Sequence, residues 1–455
     1  MTRILRIELL RSAAPGVGLL LLAVEAAYLV MANTYSGRWT ALASEHRLGL
    51  VLLVPLALAG GAWYGRRERR WRMDELLSTT PRPGAQRRLV AACALGVTAL
   101  AAYLLAFAVG AVRVAPSATH LPPGLPQTVA VGAVALVAAA WLGLALGRAL
   151  PHPVVAPAAA VVAAGAIVAT RMFVTGGVDD RLPGAALLDP ILDGTDDFSV
   201  ILGRVHAGQA LWLVGLTLTA AGLLVVGRPR QVAFAVVPAL VAGALAVPLL
   251  PAGGSRAAYT LDHGAAALVC ADGEPRVCVT RVHAATLPEV VGPARASLAA
   301  LAKLPDAPTS AIERIHRIGP ASEEPPATPQ PADTLFFPLF LDPSGGLYAT
   351  GDELLTELLH GAGTSFCPFT GDADPDGWLR DGVARTVAGA WLRGQPPARW
   401  TESGMEKRDE LEQRLYQNLT ALPQDEQVRR VAALRRAALE CRGDLYPVLA
   451  GEARA

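Results

Sequence analysis

RRERRWRMDELLSTTPRPGAQRR, residues 66 to 88, carries eight arginines between two long apolar runs. An arginine at a bilayer centre costs roughly 2.5 to 3.5 kcal/mol on the insertion scale, and short loops rich in Lys/Arg stay on the inner side of a membrane. The stretch therefore predicts a cytoplasmic loop that joins two membrane helices of known direction. Within it, Met73, Leu76 and Leu77 stand at helical spacing after Arg72, with Asp74 and Glu75 beside them, and Pro81 and Pro83 stop the helix. The reading is a short surface helix on which a cytoplasmic partner can dock.

The remainder of the chain has the composition that such a loop requires. Of 455 residues, 52% are hydrophobic and 17% charged, with a mean hydropathy of +0.37, whereas soluble domains carry about 25% charged residues. The net charge of +1 leaves no basic face beyond what the loops explain. No nucleic acid is expected as a partner; the lipid bilayer is. About 20 residues at 1.5 Å rise cross a ~30 Å hydrocarbon core. Seven runs meet that test, near 13–32, 48–65, 89–112, 128–147, 153–170, 208–227 and 231–250. RALPHP at 148–153 reads as the turn between the fourth and fifth.

Charges on alternate loops orient the spans. Arg3, Arg6, Arg11, the eight arginines of the opening stretch, Arg148, Arg228 and Arg230 fall on one side. Arg38, Arg47, Arg113, Arg171, Arg181 and Arg204 fall on the other, among six aspartates at 179, 180, 189, 193, 196 and 197. The bias predicts a cytoplasmic N-terminus in the plasma membrane, and an odd number of spans puts the C-terminus outside. The residues before Ser12 read either as an interfacial helix or as a frayed basic tail.

After Pro251 the composition becomes that of a globular domain. LVCADGEPRVCVTRVH predicts a hairpin, with strands near 266–271 and 276–283. Thr286-Leu-Pro-Glu289 reads as a capping box that opens a helix to about Lys303. A strand is expected near 312–318 and another in LFFPLFL. Helices are expected after Thr350 and near 376–393, 403–420 and 423–441. The expected fold class is a polytopic α-helical membrane protein of about seven transmembrane helices (residues 1–250) with a C-terminal extracytoplasmic α+β domain (residues 254–455).

Cysteine placement agrees with an outside domain. Cys93 lies in the third span, while Cys270, Cys278, Cys367 and Cys441 all lie in the C-terminal domain, in a compartment where disulfides persist. Four cysteines allow three connectivities. The hairpin sets Cys270 opposite Cys278, which leaves Cys367 with Cys441.

Candidate sites are few. Glu25 is the acidic residue well inside a span, and an intramembrane ionisable group is by default a functional candidate. It could line a cavity, or be a protonated or water-reaching glutamate at a helix interface. Gly143-xxx-Gly147 offers a small surface for close helix approach. In the long outer loop, residues 172 to 207, Leu187, Leu188, Ile191 and Leu192 could dip back toward the membrane, which irregular backbone tolerates only when protein shields it. Asp179/Asp180 and Asp196/Asp197 suit surface turns better than a metal site. Lys303 and Lys407 are the two lysines, and neither lies in a G-x-x-x-x-G-K-[ST]. H-E-x-x-H and G-x-S-x-G are missing as well, so the chain is not expected to be an enzyme or to hold a metal or cofactor.

RRWRMDELLSTTPRP, residues 69 to 83, is similar to the cytoplasmic segment of the permease subunits of ABC-2-type ATP-binding cassette transporters. The first six spans, with both ends inside, a basic helical loop after the second and a long outer loop after the fifth, resemble that family over residues 1 to 230. The seventh span and the outer domain depart from it. That domain, with its hairpin cysteines, Cys367-Pro368 and the ALPQDEQ to LEC pattern at 421–441, looks like the C-terminal region of an actinobacterial permease-like group. The resemblance implies a permease energised by a separate ATP-binding cassette ATPase, docked at residues 72 to 77 and paired with a second permease subunit, the same or related. The alternative is a membrane-anchored extracytoplasmic binding or assembly protein whose helices are a scaffold.

Overall fold

The computed structural model describes residues 2–32, 35, 37–67, 83–175, 184–192, 196–226, 229–252, 256–317, 330–342, 345–366, 375–399, 404–442 and 444–452. Arg72, Met73, Asp74, Glu75, Leu76, Leu77 and Cys367 lie outside the described residues. The chain forms two compact units, the first running to Ala265 and the second taking most of the rest.

The first unit is helical. It opens with α1 (Thr2–Arg11), which turns Leu5 and Leu9 onto the apolar core while Ile7 and Leu10 stay 49% and 73% exposed, the pattern of an amphipathic helix rather than a frayed tail. Then follow α2 (Ala14–Ala32), α3 (Trp39–Leu48), α4 (Leu50–Gly65), α5 (Gly84–Val114), α6 (Leu125–Ala149), α7 (Val155–Thr175), α8 (Gly203–Val225) and α9 (Pro229–Ala246). Among the described residues six helices are long and apolar enough to cross a membrane, and Val155–Thr170, in the place of the expected fifth span, is a shorter apolar helix. The turn expected at RALPHP does separate α6 from α7.

The second span differs from expectation. It reaches back from 48 to Trp39, because α3 and α4 run on through Gly49 as one 27-residue span. Gly49 keeps right-handed helical angles (φ −53°, ψ −25°), so the helical path continues through it. Arg47, expected in an outer loop, is consequently 2% exposed.

Small residues set the closest helix approach. A Cβ added to Gly143 would lie 2.0 Å from the Leu58 carbonyl oxygen, and one on Gly147 1.9 Å from that of Ala62. The fit is reciprocal: Gly61 and Gly65 on α4 face the Ala140 and Leu144 carbonyls at 2.2 and 2.3 Å. Two glycine pairs thus bring the backbones of α4 and α6 into contact.

The antiparallel helices give the unit two unlike ends. At one, Tyr64 Oη donates to Glu8 at 2.5 Å and Arg88 donates to the Val225 carbonyl at 3.3 Å. The arginine-rich segment starts and finishes here. At the other, Arg38 pairs with Asp197 at 2.7 Å and His120 with Asp262 at 2.7 Å. There β1 (Ser199–Ile201) pairs antiparallel with β2 (Tyr259–Leu261). That ladder is why residues up to Ala265 belong to the first unit, rather than the boundary falling at 254.

The second unit has a mixed sheet in the order β3 (Leu268–Cys270), β4 (Arg276–Thr280), β5 (Ser310–Glu313), β6 (Thr334–Phe337). The first pair is the expected hairpin, with Cys270 opposite Cys278 and the two joined in a disulfide. Cys441 is disulfide-bonded too, and Cys93 is a free cysteine. The other two pairings are parallel, with α10 (Leu287–Leu301) as the crossover from β4 to β5. Then come α11 (Gly351–Leu359), α12 (Pro375–Arg393), α13 (Glu406–Thr420), α14 (Gln424–Glu440) and a short α15 (Leu445–Ala450) that the sequence did not announce. Val277, Leu301, Leu335, Phe337, Val387 and Leu434 lie in its core.

The capping box at Thr286 does not form. A 3-10 turn, Arg281–Thr286, runs into α10, so Thr286 is already near-helical (φ −87°, ψ −8°) and its hydroxyl donates to the His283 carbonyl at 2.9 Å. An N-cap needs extended backbone to aim its oxygen at the helix amides.

His360, just past α11, gives this unit a pH dependence. Its ring lies 5.3 Å from Phe366, over which the Arg385 guanidinium sits at 4.8 Å. Burial first, and then the charges of Arg385 and Arg408, hold the imidazole down to about 3, against ~6.5 in an unfolded chain. Between those values the unfolded chain binds the extra proton. Stability is therefore complete above about pH 6.5 and falls below it by up to ~1.4 kcal/mol per pH unit. His360→Gln is expected to flatten this fall in thermal unfolding between about pH 6.5 and 4.5. Equal slopes for the two proteins would reject the assignment.

Candidate functional site

The site is a buried polar cluster built from α2, α3, α5, α8 and the segment 184–192, a 3-10 turn (Gly184–Leu188) followed by irregular backbone. On α2, Leu21, Glu25 and Leu29 form an inward stripe at i, i+4 spacing, which leaves Glu25 1% exposed. On α3, Leu42 and His46 repeat that spacing, and Arg47 turns in beside them. Glu25 Oε1 and His46 Nδ1 lie 2.8 Å apart. The imidazole stacks on Tyr103 of α5 at 3.8 Å, with Phe107 at 5.3 Å.

Two glycines make room for this arrangement. A Cβ at Gly49 would lie 2.3 Å from Glu25 Oε2, and one at Gly132 on α6 would lie 2.1 Å from the Tyr103 hydroxyl. Tyr28, one turn beyond Glu25, donates to Glu45 at 2.6 Å.

Arg47 links the cluster to the irregular segment. Its Nη2 donates to Gln209 Oε1 at 2.9 Å and its Nε to the Pro190 carbonyl. Gln209 in turn donates to the Leu187 and Asp189 carbonyls at 2.9 and 2.8 Å. The last carbonyls of a short 3-10 turn and those of the irregular backbone after it need such partners wherever water is excluded. Leu187 and Leu192 are buried with Val205, Leu250 and Tyr259, and Ile191 packs into the helical core, so the apolar residues that could dip inward are shielded by protein. Asp197 accepts from Arg38 at 2.7 Å and Thr40 at 2.8 Å, and Asp196 from the Phe198 amide at 2.9 Å. These aspartates serve the fold; Asp179 and Asp180 lie outside the described residues.

A cavity of about 40 Å³ borders the cluster, lined by Thr40, Ser44, Arg47, Leu125 and Thr128 among others. Three buried atoms of the cluster have no hydrogen-bond partner: Glu25 Oε2, His46 Nε2 and Arg47 Nη1. Chemically these are two acceptors and one donor; of the three residues Arg47 lines the cavity, while Glu25 and His46 do not. Of these residues the sequence singled out Glu25 alone. His46, Arg47, Tyr103 and Gln209 were missed, although Leu42, His46, Leu50 and Leu53 continue one helical stripe, which is the signal that the span starts before residue 48.

A second buried knot lies in the other unit. Glu313 Oε2 accepts from the Thr280 amide at 2.6 Å and the Thr280 hydroxyl at 2.9 Å, and Oε1 lies 2.5 Å from His283 Nδ1. It ties β4, the turn after it and β5 together.

No protein-family model, no curated protein and no solved structure matches the chain. Residues and geometry therefore carry the functional reading.

Proposed function

We propose that the chain is a membrane-spanning permease subunit of an ABC-2-like transporter. A separate ATP-binding cassette ATPase energises it, and it pairs with a second permease subunit, identical or related. The observation that supports this reading is the placement of the arginine-rich segment: it joins α4 and α5 at the end of the helical unit where α1, Tyr64 and Arg88 also meet. With α7 (Val155–Thr175) counted as a seventh span beside the six longer ones, that end faces the cytoplasm in the plasma membrane and the second unit lies outside, the orientation that arginine bias and the Cys270–Cys278 disulfide both favour. The chain supplies the pathway and the docking surface; its partner supplies ATP hydrolysis.

The double variant Asp74→Arg/Glu75→Arg tests this. Insertion stays intact, because the change adds positive charge to an already positive inside loop. Turning two acidic docking side chains basic is expected to lower the ATPase recovered with the permease from native membranes by about tenfold or more. The ATPase is identified by its P-loop peptide. Recovery at the level of the unaltered protein would overturn the docking assignment.

A further inference from the structure

Glu25 and His46 come from different helices, are each 1% exposed and face each other at 2.8 Å, yet Glu25 Oε2 and His46 Nε2 have no partner. Proton counting explains the pattern. With a neutral imidazole, the Nδ1 proton is donated to the Glu25 carboxylate, and the open positions are two lone pairs, one on each residue. Taken as Glu25, His46 and Arg47, the cluster is then neutral, with Glu45 a further negative charge beside it. An open lone pair is tolerated inside a protein far better than an open N–H, so this is the resting state. One more proton fills a lone pair without breaking any existing hydrogen bond, and the N–H or O–H that it makes then needs a water as acceptor.

We propose that the Glu25–His46 pair is a proton-binding site within the helical unit. A hydronium gives its proton to the pair and leaves as water; two protons are then shared between carboxyl and imidazole, and the cluster charge rises from zero to +1. Release reverses the step. The cavity of about 40 Å³ is lined by Arg47, the residue next to His46, with Thr40, Ser44 and Thr128, and not by Glu25 or His46 themselves; it has room for a water on the approach to the pair.

The surroundings set the balance. On α3 the charged neighbours are Arg47 and Glu45, the latter held by Tyr28 of α2. Tyr103 of α5 stacks on the imidazole. From α8 come Gln209 and His206, and His206 is bonded to Thr128 of α6. Asp189 belongs to the segment 184–192, and Gly49 stands at the junction of α3 and α4. The site operates without any ATPase, so it stands or falls apart from the transporter reading.

The test uses the full chain, ¹⁵N-labelled at its eight histidines, in lipid nanodiscs, with imidazole nitrogen shifts followed from about pH 4.5 to 8.5. One imidazole is expected to start with its proton on Nδ1 and gain a second on acidification. That signal disappears in His46→Gln, and in Glu25→Gln its midpoint moves at least tenfold in proton concentration toward acid. If His46→Gln does not fold, the ring-current shift from Tyr103 assigns the signal. If Glu25→Gln does not fold, Gly49→Ala must move the midpoint, because it presses on Glu25 Oε2 without changing any charge. A His46 signal that stays constant over the whole range, or an unmoved midpoint in whichever variant folds, would overturn the proposal.

Discussion

Replacing Gly147 by leucine is expected to abolish the folded helical unit. The new Cβ alone would meet the Ala62 carbonyl oxygen at 1.9 Å and the Ala62 carbonyl carbon at 2.6 Å. Both are backbone atoms of a helix, so no side chain can swing aside. The helices must separate, and that also undoes the contacts at Gly143, Gly61 and Gly65. Overpacking against adaptable side chains costs typically ~1 to 3 kcal/mol; against backbone, with close packing lost along a whole crossing, the cost is expected to exceed ~3 kcal/mol. Gly165→Leu is the control, since nothing lies within 4 Å of a Cβ there. Size-exclusion profiles and thermal unfolding in detergent decide the matter. A monodisperse Gly147→Leu protein that melts with the unaltered chain would show that the α4–α6 contact is wrong.

Glu313→Ala is expected to cost the second unit ~3 kcal/mol or more, because a buried donor left without its acceptor costs ~1 to 3 kcal/mol and this acceptor serves three. The variant takes away the acceptor of the Thr280 amide, the Thr280 hydroxyl and the His283 ring together, in a place water does not reach. Glu313→Gln keeps one oxygen acceptor and should lose less. The loss should be read from that unit alone, as protease sensitivity between residues 266 and 455, while the helical unit stays protected. Protection of Glu313→Ala equal to that of the unaltered chain would mean the knot contributes little.

Much of the fold is legible locally. An apolar run near 20 residues has one good use, and a strand–turn–strand pattern with cysteines placed symmetrically about the turn has one good register, so the spans, the β3–β4 hairpin and the Cys270–Cys278 bridge follow from short stretches of chain. The late helices follow from apolar spacing in the same way. The same reasoning misplaces the start of the second span, because Glu45, His46 and Arg47 look like solvated loop residues until partners are found for them. Those partners, Glu25, Tyr103 and Gln209, lie 21, 57 and 162 positions from their contacts, as residue numbers show. The Thr286 cap fails for a similar reason: the motif is present, but the backbone angle that makes it a cap is set by the turn before it.

The sequence by itself determined that this chain is a membrane protein with a separate cysteine-containing α+β region, because hydrophobicity, charge bias and turn chemistry act within windows of about 20 residues. Only the tertiary structure decided which charged side chains are buried together, how the irregular segment satisfies its carbonyls, and that β4, β5 and β6 run parallel. Those outcomes depend on which helices cross and in what register. A glutamate on one helix reads the same whether it faces lipid, water or a histidine, and the difference arises only when the helices pack.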